Sequence, residues 1–388
     1  RVLFRSINSN LKLTSYAGYN IQTYRDNLFA LEGRDLKPFV ETINAFNTLV
    51  PGSPLASKAS YNLWGFYLQE TIAFKNKLFV TVAARNDAST IFAKANRSQF
   101  FPKVSASYVL SDEKFMKDSF VSSARLRASW GESGSLTAIT PYARFTNYAS
   151  GTLIGNSAFT LEGLKQGNLD LKPERSSTYE VGADFGFLKD RITLDVAGYL
   201  TRTTDLITDA SASSASGLQT LKSNNGELEG KGIEIDLAVM PFNTPTFKWN
   251  ARVSYTSNDT KVISAGDTDK VVITDGGNSQ INGDISAVKG LSFPYITGTD
   301  WMRDSEGHVI VDAQGRPTPD ATFKNLGKVT PDYILGLTNS FEYKGVGLSF
   351  TMDYRTGHSF LSQTKYNLTW NGHLVDSAEF DRNVGFLY

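Results

Sequence analysis

The 388-residue chain has no cysteine, 12 prolines, three histidines and no excess charge of either sign, with 39 Lys+Arg against 39 Asp+Glu. Without cysteine there are no disulfides and no thiolate metal sites. Balanced charge offers no handle for nucleic acid, and no nucleic-acid partner is expected. His308, His358 and His373 have no second histidine or carboxylate at ligand spacing, so no metal or cofactor site is assigned to them. No nucleophile-elbow sequence occurs, no catalytic residue is assigned, and the chain is read as a non-enzyme. Long hydrophobic runs are missing too. No stretch approaches 18 consecutive apolar residues, which excludes a transmembrane helix but leaves membrane-crossing strands open.

What the chain does have is rings, glycine and a two-residue rhythm. Aromatic residues make up 12%, with 25 Phe and 17 Tyr, and there are 32 Gly. This composition leans towards an all-β protein. Val181, Ala183, Phe185 and Phe187 alternate with Gly182, Asp184 and Gly186. Beyond Leu188–Asp190 the pattern restarts, with Ile192, Leu194 and Val196 against Thr193 and Asp195. Such a period makes strands with one apolar and one polar face. The same alternation recurs in Val104–Leu110, Ala124–Trp130, Ile233–Val239 and Leu348–Tyr354.

Twelve strands are expected near 2–8, 10–23, 62–74, 77–88, 101–110, 122–131, 175–187, 190–203, 228–240, 247–259, 332–343 and 346–356. Short links at 75–77, 188–190, 241–246 and 344–345 alternate with long ones at 24–61, 88–100, 132–174, 204–227, 260–330 and from 357 onward. A sandwich needs Greek-key crossings and rarely carries so many long loops. The rhythm instead predicts an all-β, transmembrane, antiparallel up-and-down β-barrel, with short periplasmic turns and long extracellular loops.

The apolar parity carries rings at its ends and small aliphatics between. Examples are Tyr179 to Phe187, Phe247-Trp249-Ala251-Val253-Tyr255, and Tyr333 to Tyr343. A bilayer explains that order, because amphipathic rings settle at the two headgroup levels. Charges collect on the other parity, as expected when an Arg or Lys at mid-bilayer costs about 2–4 kcal/mol. Glu70 is an exception, sharing the parity of Trp64, Phe66, Leu68 and Ile72. On the polar face Arg125, Arg127, Glu180, Asp184, Asp236 and Arg252 are candidate lumen-lining residues; cross-strand neutralisation, as between Asp236 and Arg252, is the structural alternative. Tyr142, Phe145, Tyr148, Trp301, Tyr366 and Trp370 are candidate loop contacts for a ligand or a lid protein, or they pack their own loops. Asp304-Ser305-Glu306-Gly307 with Asp312 and Gly315 suggests a calcium loop, yet lacks its twelve-residue spacing and terminal Glu. A small extracellular hairpin through His308–Val311 suits it better.

Several runs resemble the SusC/RagA family of TonB-linked outer-membrane transporters. These are LFVTVAARNDAST, FFPKVSASYVLSDEKF, SSARLRASWGESG, NLDLKPERSSTYEVGADFGFLKDRITLDVAGYLTRTTDLI, NNGELEGKGIEIDL, and LGKVTPDYILGLTNSFEYKGVGLSF followed by YRTGHSF. They occur in order from about residue 60 to the end. The resemblance implies that the chain is the mid-to-late part of a 22-stranded barrel in a Gram-negative outer membrane. The plug with its TonB box and the final strands are then expected outside this segment. It further implies import of oligosaccharides or oligopeptides with a SusD-like lid lipoprotein, energised by TonB. The alternatives are a lidless siderophore or cobalamin receptor, and a non-transporting barrel such as an adhesin or barrel enzyme.

Overall fold

A strand with one apolar and one polar face buries half of itself, and its backbone groups need partners on both sides. In lipid no water can supply them, so neighbouring strands must. The computed structural model of the chain describes residues 2–36, 39, 46–49, 55–116, 119–153, 156–275 and 283–375. Its main sheet follows one path of twelve strands: β1 (Val2–Ser6), β2 (Leu11–Ala30), β3 (Leu55–Phe74), β4 (Leu78–Ser89), β5 (Ser98–Val109), β6 (Val121–Ser135), β7 (Glu174–Phe187), β8 (Ile192–Ser211), β9 (Thr220–Asn243), β10 (Phe247–Ala265), β11 (Tyr333–Tyr343) and β12 (Val346–Thr356). Each pairs antiparallel with its predecessor in this path, so all twelve expected strands are present in the expected order. β1 and β12 form the edges of an open arc.

The short links turn tightly because their residues accept left-handed backbone. Lys75 and Asn76 have φ of 52° and 54°, and Lys344 and Gly345 have 47° and 86°. Positive φ at both central positions matches the twist of the flanking strands. Leu188, Lys189 and Asp190 all stand between 55° and 61°.

The expected strand ends fell short on the opposite rim. β2 runs on to Ala30 and β3 begins at Leu55, paired from Leu11↔Phe74 to Ala30↔Leu55. β8 and β9 stay paired out to Ser211↔Thr220, across a bulge around Thr203–Leu206. The long links of 24–61 and 204–227 are correspondingly shorter than expected. In the β2 extension both faces meet water along Tyr24-Arg25-Asp26-Asn27, so the ladder persists without alternation, whereas in the β8 extension Ala210 is buried and Ile207 packs on a loop core. Part of the first long link, and residues 376–388 of the last, lie outside the described residues.

The long connections carry structure of their own. Residues 266–332 hold a four-stranded sheet of Lys270–Asp275, Gly283–Val288, Tyr295–Gly298 and Lys324–Lys328. The 136–173 connection holds a hairpin of Tyr148–Leu153 with Asn156–Leu161, and its Lys165–Gln166 pairs in parallel with Thr220–Leu221 of β9. Ile91, Phe92, Ile139 and Leu171 form a small buried core there, and Val262, Ala265 and Ala287 form a second. Helix α1 (Gln363–Trp370) starts at Ser362, whose hydroxyl accepts the Lys365 amide at 3.1 Å.

The apolar face is continuous across the wall. Leu68, Ala84 and Pro102 share one row, and Leu126, Ala183, Val196 and Ile235 share another. Val181, Leu348 and Met352 are more than half exposed on it. A patch this large needs an apolar partner. Rings mark its two borders. Towards the short turns Phe242, Trp249, Phe341 and Phe350 stack in sequence, with centroids 5.6–6.4 Å apart. Towards the long loops Tyr255, Tyr333 and Tyr354 meet in tilted pairs, and Trp130 meets Tyr179 at 6.3 Å. Phe341 and Tyr333 are eight residues apart on β11, about 26 Å along a strand. At a tilt near 40° that is about 20 Å of height, close to the apolar band of an outer-membrane barrel.

Polar side chains on this face include Asn339 and Glu70. Asn339 is 8% exposed and accepts the Trp249 indole N–H at 3.0 Å. Glu70 lies in register between Ser15 and Val82; the Ser15 hydroxyl donates to its Oε2, while Oε1 is shielded from solvent without a partner. An unmatched carboxylate oxygen in that setting destabilises the wall. Glu70→Leu is expected to stabilise the barrel by about 1 kcal/mol, read as a higher urea midpoint in detergent at unchanged slope.

Candidate functional site

The polar face concentrates charge at mid-wall. β6 supplies Arg125 and Arg127, β7 Glu180 and Asp184, β8 Asp195, β9 Asp236 and β10 Arg252. Register brings Asp184, Asp195 and Asp236 side by side on three adjacent strands, a row that would repel itself if left unanswered. Three guanidiniums answer it. Arg125 Nε lies 2.5 Å from Asp184 Oδ2. Arg127 reaches Asp184 Oδ1 at 3.1 Å and Asp195 Oδ1 at 2.9 Å, with Glu180 Oε1 at 3.8 Å. Arg252 Nε donates to both oxygens of Asp236, at 2.7 and 2.9 Å.

All six candidate lumen residues therefore fall into paired clusters on one face, and cross-strand neutralisation describes their geometry. Asp195, which the alternation already sets on the polar parity, joins them. The network also depends on Gly182, directly across from Arg127. A Cβ there would lie 2.6 Å from Arg127 Nε. Gly182→Val is expected to push the guanidinium off both aspartates and to cost about 2–3 kcal/mol. A lowered urea midpoint checks this, with Gly182→Ala falling between the two proteins.

The candidate loop aromatics divide among three places. Tyr142, Phe145 and Tyr148 belong to the 136–173 connection. The Tyr142 hydroxyl is 3.4 Å from Ser60 Oγ, and Phe145 lies under the Arg144 guanidinium at 4.6 Å. Arg144 in turn donates to the Ile91 carbonyl at 3.1 Å, which ties that ring to the small core. Tyr366 and Trp370 stack at 6.5 Å on α1, leaving Trp370 79% exposed. Trp301 stands apart, bridged to Pro319.

Around Trp301 the chain makes an eight-residue repeat that sequence reading took for a single hairpin. Ile310 donates its amide to the Met302 carbonyl, Thr318 to Ile310, and Met302 to Thr318, closing a ring of backbone bonds. Asp304, Asp312 and Asp320 recur at the same interval, each accepting amides from the following turn. The bonds to Glu306 and His308, to Gln314 and Arg316, and to Thr322 are all 2.9 Å. Asp304 and Asp312, which lie in the stretch weighed above against a calcium loop, each accept two backbone amides through Oδ1.

These bonds hold the Asp304 and Asp312 carboxyls below the usual range, through the amides of His308 and Arg316 first. The Lys324 ammonium, 2.7 Å away, and the Thr322 amide bring Asp320 down to about 2. A lowered folded-state value means the turn's contribution is present above the unfolded value near 3.9 and disappears as pH falls through the folded one. The Asp320 carboxyl carbon shift, followed by NMR, is expected to titrate near pH 2, with the Thr322 amide resonance moving in step. Titration near pH 4 sinks the turn assignment.

Comparison with known proteins adds the following. A family model described as TonB dependent receptor-like, beta-barrel matches residues 3–372. TonB-dependent receptor P26 of Formosa agariphila is 25% identical over 413 residues, covering 97% of this chain and 40% of that protein. TonB-dependent receptor SusC of Bacteroides thetaiotaomicron is 28% identical over 326 residues, covering 78% and 32%. The chain thus spans two fifths or less of these curated relatives. Among solved structures, the RagAB peptide transporter superposes with a TM-score of 0.75 at 18% identity, over 92% of this chain and 40% of that one.

Proposed function

The chain belongs to the TonB dependent receptor-like β-barrel family of the Gram-negative outer membrane, and from that premise we propose that it is the wall of an active importer of oligosaccharides or oligopeptides. The observation that carries this reading is the continuous pairing of twelve antiparallel strands in sequence order, with one face banded for lipid and the other charged. In this reading the charged face lines the passage and the structured long connections form its outer mouth. The rings of Tyr142, Phe145, Tyr148, Trp301, Tyr366 and Trp370 meet cargo or a SusD-like lid lipoprotein there. TonB supplies the energy through a plug seated in the lumen. The likeness to SusC and to a structure titled a peptide transporter supports import of a polymer fragment, with either class of cargo.

No residue of the wall carries out chemistry here. Its work is to exclude lipid, hold shape and present polar groups to a moving solute, which suits a network in which Arg127 bridges Asp184 and Asp195.

The full-length protein is expected to migrate differently on a gel before and after boiling, and to bring a lipoprotein with it through purification. Deleting its gene is expected to abolish uptake of a particular oligosaccharide or oligopeptide, and loss of TonB to do the same. Undiminished uptake without TonB sinks the energised reading.

A further inference from the structure

A second polar feature lies above the mid-wall network, where β3, β4, β5 and β6 approach the long-loop rim. Pairing of β5 with β6 ends at Lys103↔Gly131, and beyond it the two strands part. The Phe101 ring enters the gap, 6% exposed, with the Arg175 guanidinium 5.4 Å from its centroid. It comes so close to Gly134 that a Cβ there would meet the ring at 2.5 Å. Below the ring opens a recess of about 380 Å³ on the charged face.

Two register rows build it. Tyr67, Arg85 and Phe101 form one, and Gln69, Ala83 and Lys103 the other. In the second row the small Ala83 lies between two long polar side chains. Gln69 and Lys103 therefore flank a gap about 10 Å wide, two strand spacings.

The balance of hydrogen-bonding capacity is one-sided. Both carboxylates of the recess are committed: Asp87 to Arg85 Nε at 2.5 Å, and Glu132 to Arg175. Arg85 and Arg175 are the cations of those pairs, Arg85 through Nε alone. The Lys103 ammonium, the Gln69 amide and the Tyr67 hydroxyl have no side-chain partner among the described residues. Arg85 and, from outside the recess, Arg175 answer the two carboxylates, so Lys103 is the lining cation without a counter-charge among the described residues. The contrast with the recess beneath the 136–173 connection is direct, because there Lys165 and Lys222 both lean on Asp209, at 3.5 and 2.9 Å.

We propose that the Lys103–Gln69–Tyr67 recess is a subsite for an oxyanion, borne as a carboxylate on the oligomer that passes through this barrel. The inference rests on the importer reading and narrows its cargo to anionic chains. The group sits over Ala83, accepts from the ammonium and the amide on either side, and presents its chain towards the Phe101 and Tyr67 rings. The carboxylate comes from a uronic acid of a glycan or from an acidic side chain of a peptide. A neutral oligomer leaves Lys103 unanswered, so the site discriminates by charge as well as by fit.

The test uses full-length protein with its plug, in detergent at low and at physiological salt, and titration calorimetry with four probes: hexagalacturonate, its methyl ester, hexaglutamate and hexaglutamine. One acid is expected to bind at least about tenfold more tightly than its neutral counterpart, the scale of one charge-assisted bond. A preference for hexagalacturonate identifies the source as glycan, and one for hexaglutamate as peptide. Lys103→Gln is expected to erase the preference and Lys103→Arg to keep it. Ala83→Leu fills the floor and is expected to weaken the acid selectively. Boiling-dependent gel migration certifies that each variant is folded. Equal binding of acid and neutral forms overturns the inference, as does an acid preference that survives Lys103→Gln. Binding of none of the four also overturns it, while the importer reading stands or falls separately on uptake.

Discussion

Everything in this wall follows from the demand that each backbone N–H and C=O find a partner where water is scarce. A strand answers that demand only by pairing on both edges, so each inner strand of the arc is bound on either side by its neighbours in the path. Once the ladder is satisfied, side chains are free to be sorted by medium. Parity does the sorting. One set meets hydrocarbon and is banded by rings; the other meets the lumen and carries the charges. A one-residue slip would invert both faces at once, sending Arg127 to lipid and Leu126 to the lumen.

Charge on the inner face then needs a second level of order. Asp184, Asp195 and Asp236 are placed together by register, and their tolerance depends on guanidiniums arriving from the strands on either side. Arg is suited to this because one planar fork serves two carboxylates, as Arg127 does. Gly182 supplies the space. The outer face shows the same logic with fewer means. Asn339 is matched by the Trp249 indole, whereas Glu70 keeps one oxygen unmatched.

Legibility in the sequence tracked the medium around each residue. Strands inside the bilayer were readable from Val181 to Phe187 or Leu348 to Tyr354, because lipid enforces strict alternation. The ring order of Phe247 to Tyr255 forecast the two belts for the same reason. Beyond the headgroups the constraint lapses, so the continuation of β2 through Arg25 and Asp26 left no trace in the pattern. The period-eight turn of Asp304, Asp312 and Asp320 hid for another reason. Its signal is an acid followed three residues later by glycine in the first two turns, but the third turn, at Asp320, lacks the glycine, so the period of eight does not show. The polar network was half legible. Parity placed its members on one face, but which arginine serves which acid depends on register, and register needs coordinates.

The paired length of β2 and β3 has a consequence for scale. Twenty residues in continuous register extend about 66 Å along the strand. At a tilt near 40° they rise about 50 Å, roughly twice the apolar band. The surplus stands as a stiff chimney above the membrane surface. A macromolecule settling on its rim would meet protein alone, without having to part lipid.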